Sequence, residues 1–445
     1  MELSVTSVDE VTPYPQGPPA PGAKEPTLPA LLEAPEGARL LAILDASLLD
    51  WVPGRVGQEA VCLFDPGDDD DLEENAPWLV DLDADQGLAR NLMTAGDVPW
   101  TPWGRPGAVF LHSAASLDML RRHFRRIVMI PREDRDSHVF LRFWMADILT
   151  DLLSAASESW TAPVRLFGRE EEPPLISSYL MARDGGVGLT RVDAPGMLPP
   201  GRLVLDETME RVLRRTMRAR FAEELATHCD DRFPDSMQTV APAARRDTFL
   251  AIMEQGRRFG LTQRGPLLVW AEASLTLGTH AIDDHAARPL IDRALVGASD
   301  QMHAAGRLQQ ELTRYAEQCF GPENGFLIRA LERVEGFGTP TEPDLGQWLS
   351  DLWPERVEAM GPAAFSLFLG QVAADADALP DPDDPSRRAH GMLCFFLGLG
   401  VRRDPVHAWL APAFDAPMNA GADSDLCRAA LRWRAMTVQR LEEAA

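Results

Sequence analysis

The sequence predicts an α+β protein: an N-terminal mixed α/β lobe followed by an all-α lobe made of two tandem helical repeats. Three observations carry that expectation. Short strand-like runs alternate with helical stretches between Leu40 and Leu205. From Asp206 onward apolar residues recur every three or four positions and strand signals stop. Within this helical half the sequence matches itself at one gapless offset of 120 residues, beginning with Leu225 and Leu345.

Residues 1–37 hold Pro13, Pro15, Pro18, Pro19, Pro21, Pro26, Pro29 and Pro35. Proline removes backbone donors and blocks helix continuation, so this segment reads as a flexible, extended arm. The mixed lobe occupies 38–205. Its strand candidates are Leu40–Leu44, Ala60–Phe64, Trp78–Leu82, Ala108–Leu111, Ile127–Ile130 and Val139–Trp144. Helices are expected at Gln86–Thr94 and Leu117–Arg126. The second starts after Ser116, a good N-cap, and aligns Leu117, Leu120, Phe124 and Ile127 in one stripe. Ile176–Ala182 and Gly188–Val192, joined by Arg183-Asp184-Gly185-Gly186, read as a β-hairpin.

The helical lobe divides into unit 1 at 206–336 and unit 2 at 341–445. The offset of 120 pairs Asp231 with Asp351, Phe233 with Trp353, Pro234 with Pro354, and Pro242-Ala243-Ala244 with Pro362-Ala363-Ala364. It continues through Leu277-Gly278 and Leu397-Gly398, Asp284 and Asp404, and Leu290 and Leu410. Glycine at 278 and 398 is expected to end a helix or allow close approach. The two aspartates are expected near the start of the following helix.

Charge narrows the function classes. The 445 residues carry 68 acidic against 43 basic side chains, a formal net charge of -25, and Lys24 is the single lysine. Such a surface repels phosphate backbones and anionic lipid, so nucleic acid is not an expected partner. The longest apolar stretch, Gly391 to Val401, is about half of a bilayer span, so stable membrane insertion is not expected either. The five cysteines, Cys62, Cys229, Cys319, Cys394 and Cys427, are odd in number and form no C-x-x-C pair. Reduced thiols in a cytoplasmic protein are the expectation, and the acidic, proline-bearing N-terminus does not read as an export signal.

No constellation selects a catalytic, cofactor or metal site. The acidic run around Asp68–Asp71 lacks the alternating ligand spacing of a calcium loop. His280 and His285 are five apart rather than on one helical face, and their repeat partners are Gly400 and Pro405. Gly185-Gly186-Val187-Gly188 reads as a hairpin turn rather than a phosphate loop. Two features suggest partner binding instead. Arg121, Arg122, Arg125 and Arg126 gather on one side of a helix, suited to an acidic segment. Trp100 and Trp103 sit on a proline-stiffened stretch, Val98-Pro99-Trp100-Thr101-Pro102-Trp103, suited to low-entropy aromatic contacts.

An ordered series of blocks across residues 38–295 resembles the type VI secretion effector chaperone (adaptor) family. They include Leu41-Ala42-Ile43-Leu44-Asp45-Ala46, Cys62-Leu63-Phe64-Asp65, and Ala76-Pro77-Trp78-Leu79-Val80-Asp81-Leu82. Gly107–Leu111 leading into Ser116–Arg125, Leu141–Trp144, the hairpin at 176–192, Phe221–Leu225 with Arg232-Phe233-Pro234, and Arg258–Thr262 complete the series. Met145-Ala146-Asp147 stands where the family usually continues into Asp-Pro-Arg. The resemblance implies a cytoplasmic, non-enzymatic protein that binds an effector and helps load it onto the VgrG/PAAR spike. Two alternatives are open to the sequence: an α/β enzyme using strand-end Asp45, Asp65 and Asp147, or a helical scaffold protein.

Overall fold

The computed structural model describes residues 3–16, 24–64, 70–157, 159–336, 345–376, 384–410 and 429–430. The chain forms two compact units, Met1–Met217 and Arg218–Ala445, so the division falls inside the long helix Glu207–Arg232. No single described helix is long and apolar enough to cross a membrane. Pro354–Met360 and Pro362–Ala376 pass by length and composition only as a pair bent by 104°.

The first unit is organised by a seven-stranded sheet. Its strands in chain order are β1 (Ser4–Val8), β2 (Arg39–Asp45), β3 (Ala60–Cys62), β4 (Pro77–Asp81) and β5 (Ala108–Ser113). A separate hairpin pairs β6 (Met129–Pro131) with β7 (His138–Phe140), after which β8 (Ser178–Arg183) and β9 (Gly188–Asp193) return to the sheet. The spatial order is β1-β9-β8-β5-β2-β4-β3, and every pairing is antiparallel.

The sheet is covered on both faces, which explains why β2 reads as a continuous apolar run rather than an alternating one. Leu41 and Ile43 join one core, while Leu40, Ala42 and Leu44 join another. Helices α1 (Leu28–Leu32) and α2 (Gln86–Leu92) cover the face bearing Leu40. Helices α3 (Leu117–Ile127) and α4 (Ala146–Ala155) cover the face bearing Leu41.

Two local expectations need correction. The segment 1–37 is not simply a flexible arm: β1 pairs with β9 along its length, and Leu28 and Leu32 of α1 are fully buried. An edge strand is held by backbone bonds and needs no long apolar run. Proline at the first turn of α1 removes only a donor that would have no helical partner. The run Val139–Trp144 also stops being a strand at Phe140, and α4 begins soon after, at Ala146.

The second unit repeats one helical order twice. The C-terminal part of α5 (Glu207–Arg232), then α6 (Pro234–Met237), α7 (Pro242–Arg258) and α8 (Arg264–Leu277) form the first copy. After α9 (Arg288–Leu295), α10 (Gln301–Phe320) and α11 (Gly325–Gly336), the second copy follows. It comprises α12 (Leu345–Leu352), α13 (Pro354–Met360), α14 (Pro362–Ala376) and α15 (Asp384–Leu397). Phe233 and Trp353 hold the same N-cap place, with φ, ψ of -130°, 56° and -141°, 69°.

The copies meet through their equivalent turns. Gly278 and Gly398 have φ of 104° and 107°, a region that side chains with a Cβ avoid. A Cβ at Gly278 would lie 3.0 Å from the Leu397 carbonyl oxygen, and one at Gly398 would lie 2.7 Å from that of Leu277. Asp284 Oδ2 accepts from Leu399 N at 3.0 Å, and Asp404 Oδ2 accepts from Thr279 N at 2.9 Å. Their other oxygens accept from Ala286 N and Val406 N at 2.7 and 3.0 Å. Each carboxylate therefore caps its own next turn and the other copy's glycine turn. Burial raises the Asp284 pKa, against the lowering by its two backbone amide donors. Asp284→Ala and Asp404→Ala should each cost about 2–4 kcal/mol, because each leaves two shielded amides without an acceptor. Urea unfolding of the full chain measures this, and a large loss at one position alone would show that the two turns are not equivalent.

Candidate partner-binding surface

The four arginines singled out by sequence lie on α3, whose start is capped as expected: Ser116 Oγ accepts from Met119 N at 3.3 Å. Leu120, His123, Phe124 and Ile127 are buried beneath the helix, whereas Asp118, Met119, Arg122, Arg125 and Arg126 are exposed. Arg121 differs from its neighbours. Its Nε donates to Cys62 O at 2.8 Å and its Nη2 to Phe64 O at 2.9 Å. That fork satisfies backbone acceptors at β3, the end strand of the sheet, so Arg121 has a structural task. Arg122 Nε donates to the Asp118 carbonyl at 3.1 Å. Among the described residues, Arg122 and Arg126 pair with no acidic side chain.

Beside α3 lies an apolar patch that the sequence did not single out. Met129 and Phe140 face each other across the β6–β7 hairpin and are 48% and 44% exposed. The Phe140 ring lies 5.9 Å from Phe64 and 5.6 Å from Trp144, measured between centroids. Trp144 is buried and donates its Nε1 proton to Asp45 Oδ2 at 3.0 Å. The supporting aromatics are fixed, while Met129 and Phe140 remain presented outward. Their signal in the sequence was short: His138-Val139-Phe140 alternates, but the following Leu141–Trp144 run masked it.

The tryptophan stretch does not join this surface. Trp103 is buried with Phe110 in the core on the opposite face of the sheet, and its Nε1 donates to Gly186 O at 3.0 Å. The cause is a close approach between two turns: a Cβ at Gly186 would lie 2.7 Å from Gly104 Cα and from Trp103 Nε1. Trp100 is 52% exposed, and the backbone before it is tied down where Trp51 Nε1 donates to Pro99 O at 3.0 Å. The expectation that Trp103 is an interface anchor is therefore corrected, and Trp100 stands apart from the α3 arginines.

The strand-end aspartates are engaged in local structure. Asp45 Oδ1 accepts from Ser47 N and Oγ, at 3.1 and 2.6 Å, and its other oxygen holds Trp144. Asp147 Oδ1 accepts from Ile148 N at 2.9 Å, and Asp65 lies outside the described residues. In the second unit, His280 packs against Gly400, its repeat partner, while Asp284 caps turns as described. No group of three or more histidine, cysteine or acidic side chains suited to a metal occurs among the described residues.

Two outcomes follow from these placements. Trp103→Ala should cost roughly 3–5 kcal/mol of folding stability as a core truncation, while Trp100→Ala should change it by less than about 0.5 kcal/mol. Chemical denaturation of both variants checks the contrast. His123 supplies a pH dependence: its Nε2 donates to Leu166 O at 3.0 Å, and burial, aided by nearby arginines, lowers its pKa to about 4. The unfolded chain takes up this proton at higher pH than the folded one. Stability is thus complete above the ordinary value of 6.5 and falls as pH drops toward about 4. The loss should be roughly 3 kcal/mol across that window, and it should shrink in His123→Gln when both proteins are unfolded with urea at several pH values.

A search of the curated proteins and of the solved structures found no match to the chain. Residues 40–162 match the family model described as Domain of unknown function (DUF4123), a segment running from β2 past α4 that holds the α3 arginines, Met129, Phe140 and Trp144; the chain carries a DUF4123 domain there.

Proposed function

We propose that the protein is a type VI secretion effector adaptor: it binds an effector in the cytoplasm and helps load it onto the VgrG/PAAR spike. The observation that carries this reading is the DUF4123 match at residues 40–162, since that family is known in type VI effector chaperone and adaptor proteins. The ordered blocks around β2, β4, β5 and α3 support it. In this reading the protein acts by binding and not by catalysis.

The effector-binding surface is the exposed side of α3 together with the β6–β7 hairpin. Met129 and Phe140 supply apolar area to be desolvated, and Arg122, Arg125 and Arg126 orient an acidic or carbonyl-rich segment. On a chain of net charge -25, a local arginine row also selects against partners of the wrong charge. Deleting the protein should lower effector abundance or delivery, and unchanged effector level, spike loading and killing would reject the proposal. For the surface, Phe140→Ala should weaken capture of the co-expressed effector by about 1–3 kcal/mol while leaving the urea midpoint in place. Arg122→Ala with Arg126→Ala should weaken capture most at low salt. Unchanged affinity in both variants would move the interface elsewhere on the chain.

A further inference from the structure

The helical unit contains a charged cavity of about 580 Å³ lined by Arg293, Arg314, Gln318, Phe326, Glu355, Glu358 and Ala359. That volume lies in the range of small-molecule sites. We propose that it binds a small zwitterion with a carboxylate at one end, an ammonium at the other, and an apolar side chain between them.

The carboxylate end is set by two guanidinium groups from different helices, Arg293 of α9 and Arg314 of α10. One buried carboxylate, Glu311, holds both: its Oε2 accepts from Arg293 Nε at 2.8 Å, and its Oε1 accepts from Arg314 Nη1. Both arginine side chains are otherwise about half exposed, at 53% and 54%. The shared anchor orients them and leaves Nη donors on each for a planar anion.

The ammonium end is set by α13. Glu358 is exposed, and Glu355 binds Arg329 Nη2 through Oε1 at 3.1 Å, while its Oε2 is shielded from solvent with no partner among the described residues. No ion pair joins either cavity arginine to Glu355 or Glu358 among the described residues, so the two charged poles stay unneutralised by each other. An all-anionic ligand would meet the glutamates, and an all-cationic one the arginines. Phe326, with the Arg329 guanidinium 4.6 Å from its ring centroid, and Ala359 provide the apolar part of the lining.

The test is calorimetric titration of the full chain with glycyl-phenylalanine, its N-acetyl form and its C-terminal amide. Saturable binding of the free dipeptide is expected, with each blocked form weaker by roughly tenfold or more. Arg314→Ala and Glu358→Gln should each weaken binding to a similar degree, and the exposed Glu358→Gln should do so with its urea midpoint unchanged. The proposal is overturned by absence of saturable binding, by equal binding of the blocked peptides, or by variants that bind as the parent does. Effector capture is measured separately on the same samples, so loss of one activity does not decide the other.

Discussion

Two buried carboxylates, each closing the other repeat's glycine turn, are the constraint on which the helical unit depends. A carboxylate withdrawn from water is costly unless donors surround it. Asp284 and Asp404 each meet two backbone amides, one local and one from the opposite copy. The glycines make that exchange possible because their carbonyl-bearing neighbours pass where any Cβ would collide. The second copy has an aromatic core of its own, with Trp353 against Phe395 and Phe396.

In the first unit the corresponding constraint is a sheet buried on both faces. It leaves its central strands no surface to display, so anything the DUF4123 segment presents must come from covering helices, loops or the small β6–β7 hairpin. That is why a functional reading concentrates on α3 and its neighbour. The same layering keeps Trp103 and the α3 arginines apart, although both lie within about two dozen residues of sequence.

Much of this was legible in the chain. The repeat could be read because proline, glycine and aspartate recur at one spacing, and those residues turn out to shape the turns and caps. The cap and stripe of α3 were local and therefore visible. What stayed hidden depended on distant partners. The burial of Trp103 requires Gly186, some eighty residues later, to come against Gly104. The strand β1 carries no apolar run and is recognisable only once β9 offers it a backbone edge. Met129 and Phe140 became a patch only through the hairpin that sets them opposite each other.

The exchange between the glycine turns has the form of an isologous interface, in which residue i touches j in one direction and j touches i in the other. Thr279 meets Asp404 as Leu399 meets Asp284, within a single chain. Such a pattern is what a symmetric homodimer becomes when its two subunits are fused end to end. Fusion makes the association intramolecular and so independent of concentration. It also frees the copies to diverge: Gly400 faces His280, its own counterpart, where a strict twofold would demand identical residues.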